Sequence, residues 1–335
     1  MKVGKIPESI LERSVIRQIH NKRPEVLMGS GVGEDCAAIQ LAADEVFVLS
    51  TDPITGTARD IGHLAIRVTN NDLASAGAEP VGVLLTILLP ECTTEPELKE
   101  IILQAESACR EDGIQIVGGH TEVTAQVKQP IVSVTGLGKV KKGHLVSTGG
   151  AEPGMDFVMT KAIALEGTSI LAKDLEEDLK GHFPDCLVER AAAFDQELSV
   201  LPESRVAAAF GVAAMHDVTE GGIYGAIWEM CQASGVGCRI DLKKIAIRQE
   251  SVEICEYLGL NPYKLISSGC MLMAAADGNG LVMALARAGI EACVIGKATD
   301  SNDRILFHGE EERFLEMPQT DELYRLDRKQ EVSDG

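Results

Sequence analysis

The sequence predicts a two-domain protein in which an α/β domain is followed by an α+β domain. Strand and helix patterns alternate in the first half of the chain, a turn-rich stretch lies at residues 147–154, and a second set of helices and strands follows it. A chain of 335 residues is long enough for one large domain or two ordinary ones. We therefore predict domains at residues 1–150 and 151–335.

The predicted elements of the first half end at recognisable signals. Pro7 stands before apolar residues at helical spacing, and Pro53 follows a short apolar run that is typical of a buried strand. Gly113 follows an amphipathic helical pattern and is a typical helix stop. In chain order, we predict a helix at 7–19, a strand at 46–49, a helix at 60–78, a strand at 79–90, a helix at 95–113, a strand at 114–119 and a strand at 130–140.

The second half mixes strands with helices and shows no short-period repeat. Its strand patterns are short apolar runs, whereas its helix patterns place apolar residues three and four positions apart. We predict strands at 155–160, 237–242, 270–275 and 292–296, and helices at 167–180 and 280–289, with a patterned stretch at 204–234 between the two helices.

Composition excludes several classes of protein. Hydrophobic residues make up 45% of the chain, so a packed core is expected. A formal net charge of −20 with no basic stripe argues against a nucleic-acid partner, and solubility is the simple explanation of the charge. No apolar run reaches about 18 residues, so no membrane partner is expected. The nine cysteines form no C-x-x-C motif, which predicts free thiols in a reducing, cytoplasmic compartment.

Four aspartates stand where a backbone can approach a ligand closely. Asp35 and Asp217 lie beside glycines, in "GVGEDCA" and "MHDVTEGG". Asp52 follows a strand, and Asp72 lies in the polar stretch "RVTNNDLASAGAEP". If they gather in the fold, their carboxylates suit Mg²⁺, which prefers oxygen ligands. Aspartate is equally common in turns and helix caps, so Asp72 fits a helix cap as well as a metal ligand.

The stretch "IVGGHTE" is a second candidate. Gly118 and Gly119 are predicted to end a strand, and His120, Thr121 and Glu122 follow them. Backbone N–H groups and polar side chains at one point suit a phosphate, although a histidine after two glycines is also a common turn residue. The chain has no P-loop motif, and "GSGVG" lacks the spacing of the dinucleotide fingerprint.

Several of these pieces together resemble a known superfamily. The order of "GVGEDCAAI", "STDP", "RVTNNDLASAGAEP", "VGGHTEV", "HDVTEGGIYGAIWEM" and "LGLNPYKLISSG" is similar to that in the aminoimidazole ribonucleotide (AIR) synthase-like, or PurM-like, superfamily. This superfamily includes selenide, water dikinase, thiamine-monophosphate kinase and the hydrogenase-maturation family HypE. The resemblance spans nearly the whole chain, and the HypE pattern is the most similar of these.

The resemblance implies a PurM-like fold with an N-terminal sheet that closes a barrel across a homodimer. It implies bound ATP with Mg²⁺, a catalytic role for His120 and Asp217, and contact of Glu220 with the nucleotide. The implied metal ligands are Asp35, Asp52, Asp72 and Asp217, and the implied nucleotide-binding residues are Gly118, Gly119, His120, Thr121, Thr219, Glu220 and Gly221.

The chain also departs from the family patterns. HypE patterns end in Pro-Arg-Ile-Cys, and this sequence ends in "KQEVSDG" with no cysteine after Cys293, so we expect no acceptor thiol of that kind. At the position of His120, HypE and thiamine-monophosphate kinase have aspartate, whereas selenide, water dikinase has histidine. "DVTEGG" also differs from the "DISDG" of thiamine-monophosphate kinase.

Two functions agree with the sequence. The first is an ATP- and Mg²⁺-dependent enzyme, of phosphoryl-transfer or ligase/dehydratase type, that activates a carbonyl, an amide or another weak nucleophile of a small substrate. The second is a catalytically inactive nucleotide-binding or partner-binding protein with the same fold. The set of four aspartates favours the enzyme.

Overall fold

The computed structural model describes residues 4–5, 8–30, 37–55, 59–317 and 320–325. The chain divides into two compact units. The first unit contains Met1–Ala74 and Ala78–Leu145, and the second contains Ser75–Gly77 and Val146–Gly335. No helix among the described residues is long and apolar enough to cross a membrane.

The first unit is built on a mixed five-stranded sheet. Its strands are β1 (Gly4–Lys5), β4 (Glu45–Ile54), β5 (Glu79–Leu89), β6 (Gln115–Val123) and β7 (Ile131–Lys141). They lie in the order β1-β6-β5-β7-β4, and only β5 and β6 run parallel. A separate small hairpin joins β2 (Val26–Met28) to β3 (Ala38–Ile39). The helices are α1 (Glu8–Ile10), which continues as a π-turn and a 3₁₀-turn to Gln18, α2 (Ile61–Ser75) and α3 (Glu95–Asp112).

Helices α2 and α3 cover one face of this sheet. Ile66 of α2 and Ile102 of α3 are fully buried against Ile87 of β5 in a single core cluster. A capping box between Thr94 and Glu97 begins α3, and the left-handed Gly113 ends it as the sequence predicts. We call this helix-covered side the inner face of the sheet.

The opposite, outer face carries exposed apolar side chains. Phe47 and Leu49 of β4 remain 48% and 63% exposed. Because side chains alternate along a strand, residues 46, 48, 50, 52 and 54 of β4 point to the inner face, whereas 47, 49, 51 and 53 point outward. Strand β4 also lies at the edge of the sheet.

The second unit is built on a seven-stranded sheet with seven helices among the described residues. Its strand order is β14-β13-β10-β12-β8-β11-β9. The strands are β8 (Asp156–Thr160), β9 (Ala214–Asp217), β10 (Gly237–Asp241), β11 (Met271–Ala275), β12 (Ala292–Thr299), β13 (Arg304–His308) and β14 (Glu311–Phe314). The helices are α4 (Leu165–Asp174), α5 (Glu176–His182), α6 (Asp185–Ala192), α7 (Leu201–Phe210), α8 (Gly222–Ser234), α9 (Gln249–Leu258) and α10 (Gly278–Arg287).

Several predicted elements differ in length from the observed ones. Strand β4 does not stop at residue 49 but continues through Pro53, which an edge strand tolerates because one side of it makes no ladder. Strand β6 continues through its two glycines to Val123. The helix predicted at 167–180 is two helices, because the chain leaves helical geometry at Leu175 between α4 and α5.

Candidate functional site

Asp52 and Asp72 both lie on the inner side of the first sheet. The Ser50 hydroxyl donates a hydrogen bond to the Asp72 carboxylate. Asp52 follows Ser50 by two residues in β4 and therefore points to the same face. Asp72 lies in the last turn of α2, far from the start of the helix at Ile61, so the helix-cap alternative is wrong. Two of the four predicted metal ligands thus face the same side of the first sheet.

Asn70, which lies two residues before Asp72 in α2, has a structural role. Asn70 donates from its amide to Asp112 Oδ2 at 2.8 Å, and Arg67 Nη1 lies 2.6 Å from Asp112 Oδ1. Arg67 and Asn70 are buried. The polar stretch in α2 therefore joins α2 to the end of α3 on one side and presents Asp72 to β4 on the other.

Gly118 and Gly119 lie inside β6 and do not form a turn after it. Gly119 has a φ of +146°, and a Cβ there would stand 2.0 Å from the carbonyl oxygen of Leu85, so only glycine fits. The ladder with β5 skips one residue just before Gly118, which marks a β-bulge. The prediction that the strand ends at these glycines is therefore wrong, because pairing with β5 continues past them.

His120 and Asp52 lie on opposite faces of the sheet. His120 is paired with the exposed Thr86, whereas Asp52 is paired with the fully buried Val134. The His120 Nε2 atom lies 3.1 Å from Glu122 Oε2 on the outer face. Thr121 points inward and is buried. Within the first unit, His120 therefore does not join the aspartate pair.

The remaining predicted residues lie in the second unit. Asp217 is the last residue of β9 and is buried. Thr219, Glu220 and Gly221 form the connection from β9 to α8. The left-handed Gly221 caps α8, and its N–H donates to Asp321 Oδ2 at 2.7 Å. Glu220 accepts a hydrogen bond of 2.7 Å from the Tyr324 hydroxyl.

The sequence analysis missed a cluster of carboxylates around this connection. Glu166 is only 2% exposed, and burial raises its pKa to about 7. A hydrogen bond from Ser268 opposes the rise, and the nearby Asp321 and Glu220 add to it. Burial also raises the pKa of Asp321. The available signal was a single glutamate inside the apolar stretch "AIALEGTSIL", where a charged side chain is unexpected.

The described residues do not gather three or more histidine, cysteine, aspartate or glutamate side chains into one metal-binding group. Asp35 lies outside the described residues. The first unit thus offers Asp52 and Asp72 as ligands. This set fits Mg²⁺ held with a nucleotide, because Mg²⁺ commonly takes one or two carboxylates and fills its other positions with phosphate oxygens and water.

Comparison with known families now adds to this geometry. Residues 33–140 match the family model "AIR synthase related protein, N-terminal domain", and residues 152–309 match the model for the C-terminal domain of the same family. The chain belongs to the AIR synthase-related family. The resemblance predicted from the sequence is therefore confirmed.

Three HypE proteins extend the comparison. The chain is 32% identical over 264 residues to carbamoyl dehydratase HypE of Cupriavidus necator, which covers 76% of this chain and 72% of the relative. A crystal structure of E. coli HypE has a TM-score of 0.81 at 21% identity and covers 96% of this chain and 100% of that one. A HypE structure in complex with ATP has a TM-score of 0.76 at 19% identity, with 96% and 97% covered. The two-domain PurM-like fold and the assignment to a family of enzymes are confirmed.

Proposed function

We propose that this AIR synthase-related protein is an ATP- and Mg²⁺-dependent enzyme that activates a weak oxygen nucleophile, such as a carbonyl or amide oxygen, by phosphoryl transfer. The observation that carries the proposal is the pair Asp52 and Asp72, presented on one face of the sheet beside Ser50. The ATP complex of a HypE protein with the same fold supports the choice of nucleotide.

In this proposal the aspartates hold the metal. Asp52 and Asp72 of the first unit would bind Mg²⁺, which offsets the charge of the phosphate oxygens. The hydrogen bond from Ser50 fixes the orientation of the Asp72 carboxylate, so less freedom is lost when a ligand binds.

The glycines of β6 are further candidate nucleotide contacts in the first unit. Gly118 lacks a side chain, and only the Leu84 side chain lies near the place of its missing Cβ, so a phosphate can approach the backbone of β6 there. The Thr121 hydroxyl would be a further contact for the nucleotide. His120 would have its proposed catalytic role on the outer face of the sheet. Thr219, Glu220 and Gly221 lie at the amino end of α8, where the helix dipole favours negative charge.

Thermal unfolding tests the metal-dependent nucleotide site. ATP with Mg²⁺ should raise the Tm of the protein, and ATP with excess chelator should raise it much less, because the carboxylates repel a free triphosphate. Equal stabilisation with and without Mg²⁺ would remove the metal-ligand role from the aspartates. Tight Mg·ATP binding without turnover on any carbonyl or amide substrate would instead favour the non-catalytic binding protein.

We also propose a homodimer formed through the outer face of the first sheet. This face exposes Phe47 and Leu49 on the edge strand β4, and apolar side chains on an open edge favour association. Light scattering at micromolar concentration should give the mass of a dimer. The double variant Phe47→Glu/Leu49→Glu should give a monomer, whereas Leu103→Glu on the exposed side of α3 should remain a dimer. A stable wild-type monomer would contradict this assembly.

We also propose that the protein is cytoplasmic. All eight cysteines in the described part of the chain are free thiols, which suits a reducing compartment.

A further inference from the structure

Helices α7 and α10 of the second unit present apolar side chains to solvent. The two helices contact one another. In α10, Leu281 and Leu285 are buried, whereas Met283 lies between them in sequence, on the opposite side of the helix, and is 58% exposed. Phe210, the last residue of α7, is 39% exposed. Two neighbouring helices therefore each expose a large apolar side chain.

Each of these helices also exposes one arginine. Arg287 follows Met283 by four positions, so the two side chains lie on the same stripe of α10. Arg205 of α7 is exposed and lies opposite the buried Ala207. In the part of the chain that the structure describes, neither arginine forms an ion pair with a carboxylate. We define the α7/α10 surface by six exposed residues: Arg205, Ala209, Phe210, Met283, Ala286 and Arg287.

The local charge of the α7/α10 surface is positive, although the whole chain has a net charge of −20. Helix α10 contains no acidic residue. The acidic residue of α7, Glu203, is 2% exposed and lies 2.8 Å from Lys161 Nζ. Asp277 caps the start of α10, where its carboxylate accepts from the Gly280 N–H at 2.8 Å, at the other end of the helix from Arg287. The two arginines are therefore available to carboxylates of another molecule.

The side chains of this surface are of the kinds found at protein–protein interfaces. Aromatic residues, methionine and arginine are enriched there, and aspartate, glutamate and lysine are depleted. The flexible thioether of Met283 can adapt its shape to a partner. Single exposed apolar residues are common on any protein, but Phe210 and Met283 occur here together with two arginines that lack acidic partners. The α7/α10 surface thus combines apolar anchors with groups that select charge.

The charges also indicate which kind of molecule would bind. A two-fold contact between copies of this surface would bring four arginines into one interface without a carboxylate. Contact with an acidic part of another copy would be head-to-tail and would continue into rings or filaments. Nucleic acids and anionic membranes are repelled by a chain of net charge −20 that offers them only two arginines here. A different protein with local carboxylates fits best.

We propose that the α7/α10 surface binds an amphipathic helix of a partner protein, in which glutamate or aspartate residues flank an apolar ridge. Met283 and Phe210 contact the ridge, and Arg205 and Arg287 form charge-assisted hydrogen bonds with the flanking carboxylates. All of these residues belong to the second unit. The proposal therefore does not depend on the nucleotide site of the first unit.

Nuclear magnetic resonance of methionine methyl groups in the full chain tests this surface. The chain has ten methionines, and the Met283 signal is assigned with Met283→Leu. The probe is a synthetic helical peptide with leucines along one side and glutamates beside them, and the matched peptide has lysines in place of the glutamates. The glutamate peptide should shift the Met283 signal in a saturable way. The partly exposed Met28 of the first unit should not respond.

A pair of charge reversals tests the role of the arginine. Arg287→Glu should weaken binding of the glutamate peptide by about tenfold or more, because attraction becomes like-charge repulsion. Arg110→Glu is the matched control, since Arg110 is also an exposed arginine in the last turn of a helix, α3 of the first unit. This control should bind the peptide with wild-type affinity.

Three results with the wild-type chain would overturn the proposal, so it does not depend on the folding of a variant. The first is no shift of the Met283 signal at saturating concentrations of the glutamate peptide. The second is an equal shift with the lysine peptide, which would mean that the arginines select nothing. The third is a shift of the Met283 signal with protein concentration alone, which would make a second copy of the chain the occupant of the α7/α10 surface.

Discussion

A buried carboxylate in the first unit and one in the second differ in their partners. The Asp112 side chain is 7% exposed and contacts the guanidinium of Arg67 at 2.6 Å and the amide of Asn70 at 2.8 Å. Glu166 is 2% exposed and accepts a long, 3.3 Å bond from the N–H of Ser268. The comparison shows that burial alone does not decide whether a carboxylate is charged. A cation or several good donors nearby decide it.

Removing the cation from the first unit should have the largest effect. Arg67→Ala leaves Asp112 buried with an amide as its remaining donor, and breaking one side of a buried ion pair typically costs about 3–5 kcal/mol. Urea unfolding at pH 7 should show this loss in the free energy of unfolding. Arg13→Ala, which removes an arginine from the exposed pair with Glu95, should cost much less. Equal losses in the two variants would mean that the Arg67 pair gains nothing from its burial.

Removing the charge of a buried group in the second unit should stabilise the folded protein, whereas Arg67→Ala in the first unit should destabilise it. The pKa of Glu166 is about 7 in the folded chain against 4.5 for an ordinary glutamate, so the folded chain binds more protons between these values. Stability should therefore fall as the pH rises from about 4.5 to 7, by roughly 3 kcal/mol for this group alone. Glu166→Gln stays neutral at every pH and should be more stable than the wild type at pH 8 and similar to it at pH 4.5.

The control for this variant is Glu177→Gln, which changes an exposed glutamate of α5. It should leave the pH dependence of urea unfolding unchanged. If Glu166→Gln keeps the full wild-type dependence, Glu166 is already ionised in the folded protein, and the contrast with Asp112 disappears.

Asp72 should show the smallest effect on stability. Asp72→Asn keeps the size of the side chain and its capacity to accept from Ser50, so unfolding should change by only a few tenths of a kcal/mol. Affinity for Mg·ATP should fall by about tenfold or more, roughly 1.4 kcal/mol, because the charge of a metal ligand is lost. Isothermal titration calorimetry measures this change.

A charge-matched control separates the local role of Asp72 from the overall charge. Asp44→Asn removes the same charge from an exposed position of the same unit and should leave Mg·ATP affinity unchanged. Wild-type affinity in the Asp72 variant would refute the ligand assignment. Unfolding of that variant would show that the role of Asp72 is structural.

Local patterns were sufficient for most of the elements. Helix α3 was predicted within one residue, because its apolar spacing, its capping residues and Gly113 all lie within the segment itself. Helix α9 and the strand pair β13 and β14 were missed. Strand β13 pairs with β10, which lies more than sixty residues earlier in the chain, and β14 pairs with β13, so neither strand is specified by its own segment.

The candidate site was predicted in part for the same reason. Polar residues at a strand end and in an Ala-rich helix pointed to Asp52 and Asp72, and the structure brings them to one face through Ser50. The pattern around Gly118 and His120 predicted a turn, because two adjacent glycines usually break a strand. Pairing with β5 overrode that local preference and directed His120 to the other face.

By itself, the sequence determined the family, the two-domain α/β organisation and the residue types available for chemistry, since these depend on composition, spacing and the order of motifs. Tertiary structure alone decided which polar residues have partners. Asn70 binds Asp112, and Glu166 accepts a bond from the N–H of Ser268. The physical reason is that hydrogen bonds, ion pairs and pKa values depend on distances of a few ångströms between residues far apart in the chain.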